Sequence, residues 1–143
     1  MHPMRRIIGI GLTAAALIGL GGVLVAQGQD QARAKMLGVW AGTFTYGATA
    51  PTVMEFTQDG ETIKWTCSFR TSGDILWGDA EGSVTSFSAP SLEATGVYTK
   101  HSVPGGAGTG VKFSLTLDGD RMKGTLTEDM NNLPIEVSLT RKK

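Results

Sequence analysis

The amino-acid sequence predicts an all-β fold, an antiparallel meander of about eight strands closed into a small barrel and preceded by an N-terminal signal helix. After residue 36, apolar side chains recur at every second position, in short stretches rich in Val, Ile, Thr and aromatic residues. Turn signals made of Gly, Asp-Gly or Pro separate these stretches, and no helical period is found among them. One apolar and one polar face per strand is typical of antiparallel sheets with one side in water.

Closure into a barrel follows from the edges that such a sheet would otherwise expose. A closed sheet has no edges, and about eight strands enclose an interior that side chains fill or that holds one small ligand. A β-sandwich of two sheets is the alternative, because strand count and spacing alone do not separate the two architectures.

The individual strands differ in how clearly they alternate. The segment "ETIKWTCSF" places Ile63, Trp65, Cys67 and Phe69 on one face, and "VKFSLTL" at 111–117 alternates without error. Asp59-Gly60 between two such segments is a two-residue hairpin signal, because both positions tolerate positive φ. Glycines inside "ILWGDAEGSVTSFS", at positions 78 and 82, predict a bulge or a barrel corner.

The N-terminus, residues 1–28, is predicted to be a signal peptide or an N-terminal anchor. Arg5 and Arg6 precede an uninterrupted apolar run of 14 residues, 7–20, within the length of a secretory h-region. Small residues allow cleavage after Gly28, and Ala26 or the pair Ala32 and Ala34 offer other sites. Without cleavage, the apolar run of 20 residues from 7 to 26 is just long enough to cross a bilayer.

These features divide the chain into a leader (1–28), a short linker (29–36) and one β-barrel domain (37–143). Either fate of the leader places the domain outside the cytoplasm, so we expect it to be periplasmic, secreted or membrane-anchored. The whole chain carries 13 basic and 13 acidic side chains, so its formal charges balance. This balance predicts no nucleic-acid partner. The membrane is expected to be contacted only through an uncleaved leader.

Cys67 is the single cysteine, so no intrachain disulfide can form. It shares a face with three large apolar residues, which predicts a small buried hydrophobe rather than a nucleophile.

The stretch "GVWAG", with Gly38, Trp40 and Gly42, begins the first strand, and "GDRMKGTL" and "IEVSLTRKK" end the chain. Together they resemble the lipocalin or calycin type of barrel. In that family a tryptophan of the first strand closes one end and an arginine of the last strand packs over it. The resemblance implies that Trp40 and Arg141 form this barrel-end packing and that the interior holds a small hydrophobic ligand.

Inward-facing aromatic and methionine residues are the candidate ligand contacts, since indole rings with a few polar groups suit concave sites. Ordinary core filling is the alternative for each of them. The candidates are Trp40, Phe44, Trp65, Trp77, Tyr98, Phe113 and Met122.

Polar motifs suggest little chemistry. His101 is expected to be an exposed loop histidine, although histidine holds haem iron in nitrobindin-like barrels, which also begin with a Gly-x-Trp-x-Gly pattern. The run "GGAGTG" at 105–110 precedes a strand rather than a helix, so it predicts a mobile hairpin loop and not a phosphate site. Glu128 and Asp129 are expected to lie in a solvated turn without metal-ligand spacing.

No nucleophile triad or zinc-ligand set is found, so we expect neither an enzyme, nor a cofactor, nor a metal. The leading hypothesis is an exported, non-catalytic barrel that binds a small apolar or amphipathic ligand in its interior. The alternative is a solid barrel that acts through its surface, as an envelope protein-interaction or inhibitor-like module. An isomerase-like barrel would need a polar group inside, and only Glu55, Asp79 or Glu81 in a different register would supply one.

Overall fold

The computed structural model describes residues 28–71 and 76–143, and the side chain of Asn132 is not among the described atoms. Residues Lys35–Lys143 form one compact unit. The predicted leader falls outside the described residues up to position 27. Residues 28–36, which include the expected linker at 29–36, are helical, because Ala, Gln, Arg, Lys and Met all have high helix propensity. No helix within the described ranges combines the length and the apolar character needed to cross a bilayer.

Lys35–Lys143 contains an eight-stranded antiparallel meander. Each strand pairs with the next in sequence, and β1 also pairs with β8, from Trp40 opposite Arg141 to Thr45 opposite Glu136. This last pairing closes the sheet, so the predicted all-β barrel is confirmed and the β-sandwich alternative is excluded. The strands are β1 (Gly38–Tyr46), β2 (Ala48–Asp59), β3 (Thr62–Arg70), β4 (Leu76–Ser88), β5 (Ser91–His101), β6 (Gly110–Asp118), β7 (Arg121–Glu128) and β8 (Asn131–Arg141).

The alternating side chains fill the middle of the barrel. Along β3, Ile63, Trp65, Cys67 and Phe69 are all buried, while Lys64 on the same strand is exposed. A void of ligand size would leave measurable accessible surface on the side chains around it. Yet the largest inward side chains are each less than 2 % exposed: Trp40, Trp65, Tyr98, Phe56, Phe69, Phe113, Met36, Met54, Ile63, Leu92, Met122 and Leu126.

Aromatic rings contact one another across this core. The Phe69 ring stacks on Phe113 with centroids 6.4 Å apart, and it meets Phe44 edge-on at 5.0 Å. Phe113 in turn receives the edge of Trp65 at 5.0 Å. Offset-stacked and edge-to-face pairs of this kind add about 0.5–1.5 kcal/mol each beyond the area they bury. The middle of the barrel is therefore packed like an ordinary protein core.

Glycines allow the strands to turn sharply around this core. A Cβ atom on Gly42 would lie 1.8 Å from the carbonyl oxygen of Ser138 on β8, a distance no side chain tolerates. Gly82 and Gly96 face each other between β4 and β5, and each would collide with the partner strand in the same way. These close approaches are the corner geometry that the interior glycines of β4 predicted.

The meander places alternate connections at the same end of the barrel. The β1–β2, β5–β6 and β7–β8 connections lie at one end, which we call the loop end. The start of β1 and the end of β8 lie at the opposite end, which we call the closed end.

Candidate functional site

The closed end is plugged by Trp40. Its ring is fully buried, and its Nε1 donates a hydrogen bond of 2.9 Å to the Met36 carbonyl. The Arg141 guanidinium lies over the ring, 4.5 Å from the centroid, and donates through Nη1 to the Leu37 carbonyl at 2.7 Å. Its Nε also donates to Asp120 Oδ1 at 3.2 Å. The indole is thus fully buried under Arg141 and the backbone before β1.

The seven candidate ligand residues do not line one cavity. Trp40 lies at the closed end, and Phe44, Trp65, Phe113 and Met122 are buried side chains of the core cluster. The remaining two candidates, Trp77 and Tyr98, lie at the loop end. Trp65 and Phe113 contact each other, but inside the filled core. Only Trp77 and Tyr98 lie at the loop end, together with residues that the sequence analysis did not select.

His101 is the first of these additions, and its prediction as an exposed loop histidine was wrong. Its side chain is 0 % exposed, although its backbone is partly accessible. The cause is a register shift between β4 and β5, where Asp79 pairs with Lys100 and Ala80 pairs with Tyr98. Thr99 between them is an extra residue, so the alternation inverts and His101 points inward, as Tyr98 does.

Glu128 is the second addition, and its assignment to a solvated turn was also wrong. It is the last residue of β7 and its side chain is only 3 % exposed, whereas Asp129 is exposed as predicted. The sequence carried a signal for this, because Glu128 continues the alternation of the buried Met122 and Leu126.

Tyr98, His101 and Glu128 converge at the loop end; we call them the polar cluster. The Nε2 atom of His101 lies 4.0 Å from Oε2 of Glu128, and the Tyr98 and His101 rings meet edge-on at 4.6 Å. The Trp77 ring covers another side of His101 at 5.3 Å. Tyr98 Oη, His101 Nε2 and Glu128 Oε2 are all buried, and none makes a hydrogen bond of ordinary geometry within the described residues, although the Tyr98 hydroxyl lies next to the Glu128 carboxylate.

The loop 102–109 covers this cluster and determines the state of the imidazole. The Val103 amide donates to His101 Nδ1 at 2.9 Å, so the neutral ring carries its proton on Nε2, the atom that faces Glu128. Gly106 lies against the ring, since a Cβ atom there would come within 2.5 Å of His101 Cγ. Two further backbone hydrogen bonds join the loop to Tyr98. The Gly108 amide donates to the Tyr98 carbonyl at 2.7 Å, and the Tyr98 amide donates to the Thr109 carbonyl at 2.9 Å. The segment predicted to be a mobile hairpin loop is thus hydrogen-bonded to β5.

This tautomer does not suit a metal or haem ligand. A histidine that binds iron or zinc through Nε2 holds its proton on Nδ1 and donates it to an acceptor. Here Nδ1 accepts a bond from a backbone amide instead. Within the described ranges, no group of three or more His, Cys, Asp or Glu residues is placed to hold a metal ion.

Burial also sets the protonation of two nearby side chains. Burial, together with the adjacent Glu128 carboxylate, raises the pKa of Tyr98 well above the ordinary range of a phenol, so its hydroxyl stays protonated. Burial raises the pKa of the Cys67 thiol to about 12, although the Thr52 hydroxyl 3.3 Å away partly opposes this. Cys67 is therefore no thiolate nucleophile at neutral pH.

Apolar side chains surround the polar cluster at the surface. Tyr46, Val103, Met130 and Leu133 are between 43 % and 63 % exposed, and all four lie at or next to the loop-end connections. The Tyr46 ring lies 6.3 Å from Trp77, and its hydroxyl accepts a hydrogen bond from the Asn131 amide. We call these four residues the apolar rim.

Two hollows of about 400 and 480 Å³ lie elsewhere, on the outer face of the sheet. One lies over Gly124 and the other over Gly82 and Gly96, where small residues leave the surface indented. Mainly polar side chains, Thr and Ser above all, surround both. Neither hollow contains any residue of the polar cluster.

Comparison with family models, with curated proteins and with solved structures found no match to this chain. The closed antiparallel barrel of eight strands is compatible with a lipocalin-like fold. Membership of that family remains a prediction from the motifs at Trp40 and Arg141.

Proposed function

We propose that the domain is an exported, non-catalytic barrel that binds a small apolar or amphipathic ligand at its loop end. The supporting observation is the convergence of three buried, unpartnered polar atoms among aromatic rings, in the polar cluster. Unpaired polar groups cost free energy when buried, and ligand sites are typically apolar clefts with a few convergent polar groups. A ligand that hydrogen-bonds to these atoms would offset that cost.

This proposal moves the ligand from the middle of the barrel to one end. The middle is filled by side chains, and the closed end is plugged by Trp40. At the loop end, the loop 102–109 lies against the polar cluster, through Gly106 and the Val103 amide at His101. The ligand then enters when this loop moves away, and its apolar part lies against Trp77 and the apolar rim.

A binding role rather than catalysis is supported by the chemistry of the same residues. Glu128 is the only buried carboxylate among the residues described, so a paired-carboxylate mechanism lacks its second member. The Cys67 thiol stays protonated, and Nδ1 of His101 is occupied by the loop backbone. The expectation of no cofactor, no metal and no nucleic-acid partner is kept in this proposal.

Export is proposed from the leader sequence. We expect the mature protein to begin near Gln29 in the periplasm or medium, or to stay membrane-anchored if the leader is retained. Mass spectrometry of the protein isolated from cell fractions tests this, because cleavage after Gly28 and retention of the leader give different masses. A full-length chain in the cytoplasmic fraction contradicts export.

Tryptophan fluorescence tests the ligand site. Fatty acids, retinoids and alkylamines are titrated into the wild type and into Trp77→Phe. The fold should be retained in this variant, because the Trp77 side chain is only partly buried. We expect an emission change in the wild type that is largely lost in the variant. Flat titrations with every probe, or an undiminished change in Trp77→Phe, contradict the proposal.

A second candidate function is a protein-interaction or inhibitor-like module that acts through its surface. The apolar rim supports it, since four of the six large apolar side chains exposed in the described residues lie at this end. Exposed apolar patches of this kind mark interaction sites in monomeric proteins. A folded barrel that binds none of the small molecules but retains a co-purifying protein favours this candidate. Such retention should be lost with Leu133→Ser.

A further inference from the structure

The geometry of the polar cluster points to an organic cation as its ligand, an ammonium group on an apolar body. This inference rests on the proposed function and names the class of ligand. It starts from the charge of Glu128, which is 3 % exposed and lies 4.0 Å from His101, whose ring contacts those of Tyr98 and Trp77. A carboxylate taken out of water needs a positive partner or full hydrogen bonding, and the burial cost is several kcal/mol without one.

No cation of the described chain supplies that partner. The single basic side chain within ion-pair distance of Glu128 is His101, at 4.0 Å. Because its Nδ1 accepts the Val103 amide, the imidazole in this state is neutral. Two charged residues close in sequence to the cluster, Asp129 on the β7–β8 turn and Lys100 on β5, are exposed to water. The carboxylate charge at the loop end is therefore left for a ligand to balance.

The surrounding rings favour the same class of ligand. Ammonium groups are attracted to the faces of Trp and Tyr rings within about 6 Å, and quaternary ammonium compounds are bound in cages of such rings. Trp77 and Tyr98 flank the site, and Tyr46 lies beyond Trp77 at 6.3 Å between ring centroids. The apolar rim outside them suits an alkyl or aryl body. An ammonium group donates hydrogen bonds and accepts none. The His101 Nε2 and Tyr98 hydroxyl donors are therefore free to point at the Glu128 carboxylate, next to the bound ammonium.

An anionic headgroup is disfavoured by the same arrangement. A ligand carboxylate would lie beside the buried Glu128 carboxylate, and like charges at close range in a site shielded from water repel strongly. A neutral headgroup would leave the Glu128 charge unbalanced.

A headgroup series on the intact domain tests the inference. Octylammonium, octyltrimethylammonium, octanol and octanoate share one apolar body and differ only in the headgroup. Isothermal titration calorimetry at pH 7, well below the micelle concentration of each probe, gives their affinities. We expect the two ammonium probes to bind at least about ten-fold tighter than octanol, and octanoate to bind most weakly. Equal affinities across the series, or a preference for octanoate, overturn the inference.

Two variants assign the effect to the buried carboxylate. Glu128→Gln keeps the shape of the side chain and removes its charge. The ratio of the ammonium affinity to the octanol affinity should therefore fall at least about ten-fold. The control, Glu93→Gln on the outer face, should leave this ratio unchanged. Circular dichroism and urea denaturation establish that both variants are folded. The headgroup series on the wild type tests the inference even if a variant does not fold. An ammonium preference that survives in folded Glu128→Gln contradicts the inference. Headgroup-independent binding overturns this inference but leaves the proposed function standing, whereas absence of binding by all four probes overturns both.

Discussion

At the loop end, one extra residue in β5 determines which side chains enter the barrel. Thr99 has no pairing partner on β4, and its insertion turns His101 inward on the same side as Tyr98. Without it, the strict two-residue alternation would place His101 on the wet face, away from Glu128. A bulge next to a polar cluster is a recurrent way to re-aim a side chain at a functional site.

The Arg141 contact at the closed end can be tested by substitution. Arg141→Met removes the guanidinium over Trp40 and the bond to the Leu37 carbonyl, so we expect the free energy of unfolding to fall by about 1–3 kcal/mol. Asp120→Asn removes only the exposed ion pair with Arg141 and should cost less than about 1 kcal/mol. Urea denaturation of both variants measures the difference. Equal costs would mean that the contacts with Trp40 and the Leu37 carbonyl add nothing beyond the ion pair with Asp120.

The buried thiol of Cys67 predicts a loss of stability at alkaline pH. Its pKa is about 12 in the folded chain against 9.0 for an ordinary cysteine, so above pH 9 it ionises only when the chain unfolds. The free energy of unfolding should therefore fall by up to about 1.4 kcal/mol per pH unit between pH 9 and 12.

Urea denaturation of the wild type and Cys67→Ala at pH 8, 9 and 10 measures this fall. In the variant we expect a flat profile up to about pH 10. Above that pH, Tyr98, whose pKa is also raised from 10.0, begins to contribute in the same direction. Parallel profiles of the two proteins would show that Cys67 is not the cause.

At the scale of elements, the loop 102–109 acts as a cover over the polar cluster. Its connection to β5 runs through backbone bonds at Tyr98 and through the single bond from the Val103 amide to His101. Position 106 requires a glycine because the His101 ring occupies the space that a side chain would need there. Its backbone conformation does not impose this requirement. Ligand access to the cluster depends on how firmly this loop is held.

Gly106→Ala should lift the loop without unfolding the barrel. Its methyl group would lie 2.5 Å from His101 Cγ, and the ring is held by Tyr98 and Trp77, so the loop has to yield. We expect hydrogen exchange of the Val103 amide to accelerate at least about ten-fold while amides of β2 and β3 stay protected. The control is Ala107→Ser at the exposed neighbouring position, which should change neither. Unchanged exchange at Val103 in Gly106→Ala would mean that the loop does not rest on His101.

At the scale of the whole molecule, the barrel was predictable because its signal is repeated in every strand. The alternation in β3 and β6, the hairpin at Asp59-Gly60 and the glycines of β4 each point to the same curved, closed sheet. Such agreement between local pattern and global fold identifies an architecture even without any similar protein.

The candidate site was less predictable, because the inward turn of His101 depends on a register shift between two strands, which no single-strand pattern contains. Outside the site, the helix at 28–36 was not predicted, although its residues have high helix propensity. The burial of Glu128, in contrast, follows from the alternation of β7 and could have been predicted from it.

Nuclear magnetic resonance tests the central claim, that the loop end holds the ligand, most directly. Octylammonium is titrated into the isotope-labelled domain below its micelle concentration, and chemical-shift changes are mapped onto the chain. We expect the largest changes at Tyr98, His101, Val103 and Glu128, with Trp40 and Arg141 at the closed end unaffected. Saturating changes centred on Trp40 or on the outer face of the sheet, or no saturable change anywhere, would contradict it.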